Sequence, residues 1–211
     1  MSGAVPIALA AALAGAAFIV GVLVVLTRRV VTTPAERTVH AALHTASLAT
    51  RSLRRGLDAD SAFSAAPHLR ALTGSDGVAL YDSEAGLLAV DPPDEGLWTP
   101  ETKAVCRRTA AAAMRGQRRV LARDQTPAVV AQPLLDADGG ALGVLVAVNT
   151  AEPAPGTLGA ISEVARYAAS QLELAELDAS RARLDRAEVL ALRAQISPHF
   201  IYNALTAIAS F

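Results

Sequence analysis

The sequence lacks features that several classes of protein require. It has one cysteine, Cys106, so no internal disulfide can form, and this favours a reducing compartment. Its 19 basic and 20 acidic residues give a formal net charge of -1, which argues against a dedicated nucleic-acid surface. Neither a G-x-x-x-x-G-K-[ST] loop nor a G-x-G-x-x-G turn occurs among the 211 residues. We therefore predict no nucleic-acid partner and no nucleotide-binding loop of either kind.

Hydrophobic residues are plentiful, at 52% of the chain. Much of the excess lies in residues 4–26, an uncharged run long enough to cross a hydrocarbon core of about 30 Å as a helix. No Lys or Arg precedes this run and Arg28 and Arg29 follow it, so the positive-inside rule places everything after residue 29 in the cytoplasm. A cleaved signal peptide, the rival interpretation, normally has a basic start and a shorter apolar core. We predict a single-pass anchor in the cell membrane over residues 1–29, with residues 4–26 in contact with lipid.

The middle of the chain predicts a connecting helix followed by a small domain. Residues 30–56 have small and apolar side chains at roughly helical intervals. In residues 57–152, a helix is predicted at 60–72, and a second begins with Thr99 as N-cap and Pro100 at its first position. Apolar runs between turn residues predict strands at 77–82, 87–90, 120–123, 128–135 and 141–149. This order predicts an α+β fold, an antiparallel sheet with helices on one face.

Nothing in this domain predicts a catalytic centre, a metal site or a cofactor site. Cys106 lies between apolar neighbours on a predicted helix, which favours burial over a redox or chromophore-binding role, and Trp98 is expected to pack. Carboxylates such as Asp91 fall in turn-like or proline-rich segments, where solvated side chains are expected. In the connecting helix, His40 and His44 are four residues apart but have no accompanying third ligand, so we interpret them as solvated helix positions.

A long helix is predicted after this domain. Residues 157–196 contain almost no helix-breaking residues, and the predicted helix reaches Pro198 with a length of about 60 Å, too long to pack on one small domain. Two sets of positions step by three and four, as the core of a coiled coil requires, and the pattern does not choose between them. The first seam comprises Leu172, Ala175, Ala179, Ala182, Arg186, Val189, Arg193 and Ile196, and the second comprises Leu177, Ser180, Leu184, Ala187, Ala191 and Ala194.

This helix predicts a coiled-coil homodimer, with a solvated helix in a monomer as the alternative. Two near-equal registers also lead to the hypothesis that rotation of the helices changes the exposure of residues at their carboxyl-terminal end.

Residues 191–211 contain a histidine suited to phosphoryl chemistry. Gln195, His199 and Asn203 are spaced by four, which places them on one face of a helix. Pro198 is expected to bend or restart the helix, which would lift the imidazole out of the apolar seam. A neutral imidazole, with an unperturbed pKa of about 6.5, can act as a nucleophile toward phosphorus. The amide of Asn203 can support whatever group His199 carries.

The run LRAQISPHFIYNAL resembles the H box of LytS-type sensor histidine kinases, whose pattern is approximately L-x-x-Q-[IL]-x-P-H-F-[LI]-[FY]-N-x-L. The resemblance implies that His199 accepts the γ-phosphoryl group of Mg-bound ATP and passes it to an aspartate of a response regulator, with Asn203 and Gln195 in supporting roles. It also implies an ATP-binding domain, which does not occur before Phe211, so we expect this fragment to be inactive alone. Phe200 stands where many other histidine kinases have an acidic base, which leaves the proton acceptor open.

A looser resemblance concerns the domain at residues 57–152. The stretches ALTGSDGVALYDSEAGLLA and PLLDADGGALGVLVAV resemble GAF domains, and a PAS domain is the alternative. Either resemblance implies a ligand pocket between sheet and helices. The combined prediction is a membrane-anchored, dimeric sensor histidine kinase of a two-component system. The alternatives are a membrane-tethered GAF- or PAS-like ligand-binding and dimerisation module without kinase activity, and an extracytoplasmic binding protein released from a signal peptide.

Overall fold

The structure, a computed structural model, describes residues 34–94, 96–123 and 127–209, with only the backbone described at 34–37, 194–205 and 207. The anchor predicted at residues 1–29 therefore lies outside the described residues. Within the described ranges, no helix combines the length and the apolar character that crossing a membrane requires. The chain divides into two compact units, residues 1–42 and 43–211, and the second contains the whole sheet.

The elements follow the predicted order, and apart from the first and last helices their ends lie within two residues of the predicted ones. The antiparallel α+β class is therefore confirmed. The helices are α1 Pro34–Leu53, α2 Ala59–Thr73, α3 Pro100–Gly116 and α4 Pro155–Ile208, and the strands are β1 Gly77–Tyr81, β2 Leu87–Asp91, β3 Val120–Ala122, β4 Ala128–Leu135 and β5 Ala141–Asn149.

The five strands form one antiparallel sheet in the order β2-β1-β5-β4-β3. Leu80 lies opposite Leu145 at its centre, where β1 and β5 pair. Every residue of β1 is buried, and so are the last seven residues of β5. The near-continuous apolar run that predicted β5 as a central strand therefore belongs to a strand covered on both faces.

The prediction that helices cover one face of the sheet is wrong. Val78 and Leu80 point to the face that α2 and parts of α1 and α4 cover, and their neighbours Ala79 and Tyr81 point to the opposite face, which α3 covers. Because successive residues of a strand point to opposite faces, a strand with no polar position must be covered on both sides. The domain is therefore a three-layer arrangement with the sheet in the middle.

Two aspartates build the hairpin turns in the same way. Asp82 Oδ1 accepts hydrogen bonds from the backbone N–H groups of Glu84, at 2.9 Å, and Gly86, at 2.7 Å. Asp136 Oδ1 accepts from the N–H groups of Asp138, at 3.0 Å, and Gly140, at 2.6 Å. A short acceptor side chain can replace backbone partners in a tight turn, so these carboxylates have structural roles.

Candidate functional site

The predicted phosphoacceptor segment lies in the last third of α4. The backbone is helical at Gln195, His199 and Asn203, so their four-residue spacing does place them along one face of the helix. Their side-chain positions lie outside what the structure describes. Of the two expectations for Pro198, a restart of the helix is not seen, because α4 is one element from Pro155 to Ile208. A proline inside a helix can bend it without ending it, and the bend expected at Pro198 stays a prediction.

The first part of α4 belongs to the core of the domain. Ile161, Ala165, Ala168 and Leu172 are buried against the sheet and the neighbouring helices, and Ala175 is the last buried residue of α4 for which burial is described. From Ala175 to His199 the helix advances by about 36 Å at 1.5 Å per residue. The histidine is thus joined to the domain core by a single continuous element.

The two predicted seams differ in their surroundings. Leu172 and Ala175, the first two members of the first seam, are buried in the domain of their own chain. Leu177, which begins the second seam, is 48% exposed, and Leu184 is 68% exposed. The coiled coil itself stays a prediction. The first residues of the first seam, however, already pack within their own domain.

Contacts join α1 to α4 within residues 43–211. The Tyr167 hydroxyl donates a hydrogen bond to the carbonyl oxygen of Ala46 at 3.0 Å and also forms one with the Thr50 hydroxyl. Further along both helices, Arg54 Nη2 lies 2.6 Å from Asp178 Oδ2. The helix that enters the domain is therefore fastened directly to the helix that leaves it.

The structure confirms two of the expectations for single residues in the domain. Cys106 is fully buried, and burial raises the pKa of its thiol to about 12, so it is not a reactive group. Trp98 is buried and its indole N–H donates to the Pro92 carbonyl oxygen at 2.6 Å.

The expectation that Asp91 is solvated is wrong. It is 9% exposed and forms an ion pair with Arg70, because β2 lies directly beneath α2. The sequence could not show this pairing, since it joins residues of two elements that only the fold brings together.

Sequence reasoning also missed a polar cleft on the α3 side of the sheet. Tyr81, at the end of β1, lines this cleft together with Lys103 and Arg107 of α3. A sequence signal was available, because Lys103 is the only lysine in the chain. Among the residues that the structure describes, no group of three or more His, Cys, Asp or Glu is arranged to hold a metal ion.

Known proteins match most of the chain. The histidine kinase family pattern matches residues 187–211, which include His199 and Asn203. The sensor protein LytS of Bacillus subtilis (strain 168) is 30% identical over 171 residues, covering 74% of this chain and 28% of that protein. LytS of Bacillus anthracis is 29% identical over 187 residues, covering 81% and 31% respectively. The chain therefore spans less than a third of the length of these relatives.

Among solved structures, a GAF domain from Pseudomonas syringae pv. tomato is 23% identical, with a TM-score of 0.46 over 70% of this chain and 96% of that one. The family match at residues 187–211 and the two Bacillus relatives agree with the H box identified in the sequence. The predicted resemblance is confirmed, and the chain is related to the LytS-type sensor histidine kinases.

Proposed function

We propose that this chain is the sensor and phosphoacceptor part of a membrane-anchored histidine kinase of a two-component system. In the intact protein an ATP-binding domain presents Mg-bound ATP, and the imidazole of His199 attacks the γ-phosphorus while ADP leaves. The phosphoryl group then passes to an aspartate of a response regulator. One observation carries the proposal: residues 187–208 of the histidine kinase match lie on a helix continuous with the domain core.

Gln195 and Asn203 are proposed to support the phosphorylated imidazole, one turn of helix before and after it. Their spacing along α4 supports this assignment. Phe200 offers no basic group, so the imidazole proton is released to a group elsewhere in the intact protein or to solvent.

The remaining parts are proposed to serve detection and assembly. Residues 57–152 form a GAF-like sensor domain, residues 4–26 anchor the protein in the membrane, and α4 pairs with its copy in a homodimer. Exposed apolar side chains on the projecting part of α4, among them Leu184, Leu190 and Leu192, support the dimer.

Phosphoryl transfer to His199 can be tested by adding the ATP-binding domain of a LytS relative to the full chain, together with γ-labelled ATP. We expect the chain to acquire label that is labile in acid and stable in base, as a phosphoramidate bond is. His199→Gln should abolish the label. His44→Gln, at an exposed histidine of α1, is the matched control and should leave the label unchanged.

Label that persists in His199→Gln would contradict the proposal. So would an unlabelled wild-type chain mixed with an ATP-binding domain that phosphorylates its own partner. That second outcome would favour the alternative, a ligand-binding and dimerisation module without kinase activity.

A further inference from the structure

The cleft on the α3 side of the sheet has a volume of about 630 Å³. It opens between the tip of the β1–β2 hairpin and the first two turns of α3, with Leu87 and Ala104 among its apolar lining residues. Small-molecule sites in proteins typically have volumes of about 300–1,000 Å³ and combine apolar walls with a few polar groups. The cleft has the size and the mixture of side chains that such a site requires.

Tyr81 supplies a hydroxyl group at this cleft. The residue is 2% exposed, and within the described part of the protein its hydroxyl has no hydrogen-bond partner. Burial raises the pKa of Tyr81, the Cys106 thiol adds to the rise, and the Arg107 charge opposes it. The hydroxyl is not itself fully buried, so it meets the cleft, where it can donate a hydrogen bond to a ligand.

Two cations flank the tyrosine on α3. Lys103 and Arg107 are four residues apart and so lie on the same face of the helix. Both are exposed and neither forms an ion pair with another described residue. Asp82 and Glu84 also line the cleft, but Asp82 Oδ1 is engaged by two turn N–H groups. Asp82 and Glu84 lower the positive potential of the cleft, but neither cation is held in an ion pair by a residue that the structure describes, so both can interact with an anion.

We propose that this cleft binds a small organic acid whose carboxylate or phosphate group lies between the Tyr81 hydroxyl, Lys103 and Arg107. The three groups offer hydrogen-bond donors to one oxyanion, and charge-assisted hydrogen bonds are stronger than neutral ones. Leu87, Pro100 and Ala104 contact the apolar remainder of the ligand. The site does not depend on phosphorylation of His199, so each assignment can fail without the other.

The lone lysine makes the site directly testable. Acylation of the full chain with an N-hydroxysuccinimide ester modifies Lys103 and the amino terminus, which peptide mass spectrometry separates. Inorganic phosphate and acetate are titrated in separate experiments, and chloride at the same ionic strength serves as the reference. We expect saturable protection of Lys103 by at least one of the two anions, and the protecting anion identifies the phosphate or the carboxylate source.

Variants distinguish anion binding at a specific site from general electrostatic screening by the added salt. Arg107→Gln and Tyr81→Phe should each raise the half-protecting anion concentration about tenfold, the loss expected for one charge-assisted hydrogen bond. Arg108→Gln, at the next exposed residue of α3, is the matched control and should leave that concentration unchanged. Arg107→Gln is the decisive variant if Tyr81→Phe does not fold, because Arg107 is exposed.

Two outcomes would overturn the proposal. One is that neither anion protects Lys103 beyond the effect of chloride. The other is that Arg107→Gln and Arg108→Gln alter the protection equally.

Discussion

At the scale of single residues, close packing of the sheet requires glycine at position 143. A Cβ atom there would lie 2.6 Å from the carbonyl oxygen of Tyr81 and 2.5 Å from Leu57 Cδ2. The leucine methyl can move, but the carbonyl belongs to β1, which pairs with β5 through this region. The backbone oxygen therefore sets the limit on side-chain size.

Gly143→Ala should lower the free energy of unfolding by about 1–3 kcal/mol, the usual cost of forcing an extra carbon into a packed interior. Gly159→Ala on α4 is the matched control, since nothing lies within 4 Å of its added Cβ. That change should be neutral or stabilise by up to about 1 kcal/mol, because alanine favours a helix interior. Urea unfolding followed by circular dichroism measures both, and equal losses would contradict the explanation.

At the scale of elements, α4 has two uses along its length. Its first part packs in the domain core through residues such as Ile161 and Leu172, and its second part projects with apolar side chains exposed. Because Leu172 and Ala175 already pack in their own domain, the first seam cannot begin at those positions in a dimer. The second seam begins with the exposed Leu177, which favours it as the dimer contact near the domain.

Cysteine cross-linking tests this choice of seam. In a Cys106→Ala background, we expect Leu184→Cys, on the second seam, to form a disulfide-linked dimer faster than Ala182→Cys, on the first. Facing core positions bring sulfur atoms within bonding reach, and flanking positions do not. Gel analysis after mild oxidation measures both rates, and capture of Ala182→Cys alone would contradict the assignment.

The same cross-links bear on the hypothesis that the helices rotate between registers. If only one seam is captured in every signalling state, that hypothesis is removed.

At the scale of the molecule, α1 and α4 are in direct contact. A conformational change can therefore pass from one helix to the other without passing through the sheet. Tyr167 bonds to both Ala46 and Thr50, and Arg54 pairs with Asp178 further along. A displacement of the carboxyl-terminal half of α1 would therefore act on α4 without first changing the cleft lined by Tyr81. A structural change in the domain core can also act on α4 through the buried residues at its start.

Tyr167→Phe should lower the free energy of unfolding by about 1 kcal/mol, because the half-buried Ala46 carbonyl and Thr50 hydroxyl lose a partner. It should also speed amide exchange in residues 43–53. Arg54→Gln is the comparison, and since both partners of that ion pair are substantially exposed, a change below about 0.5 kcal/mol is expected. Hydrogen exchange with mass spectrometry measures the local effect. Equal exchange rates in wild type and Tyr167→Phe would contradict the link.

The sequence by itself determined the order of the elements and the H box around His199. Both are local: a helix, a strand or a turn shows in the spacing of neighbouring residues, and the H box is a contiguous run. Only the tertiary structure decided that helices cover both faces of the sheet, that Asp91 pairs with Arg70, and that Tyr81 meets Arg107 at one cleft. Each of these joins residues distant along the chain, and local periodicity carries no information about which surfaces pack together.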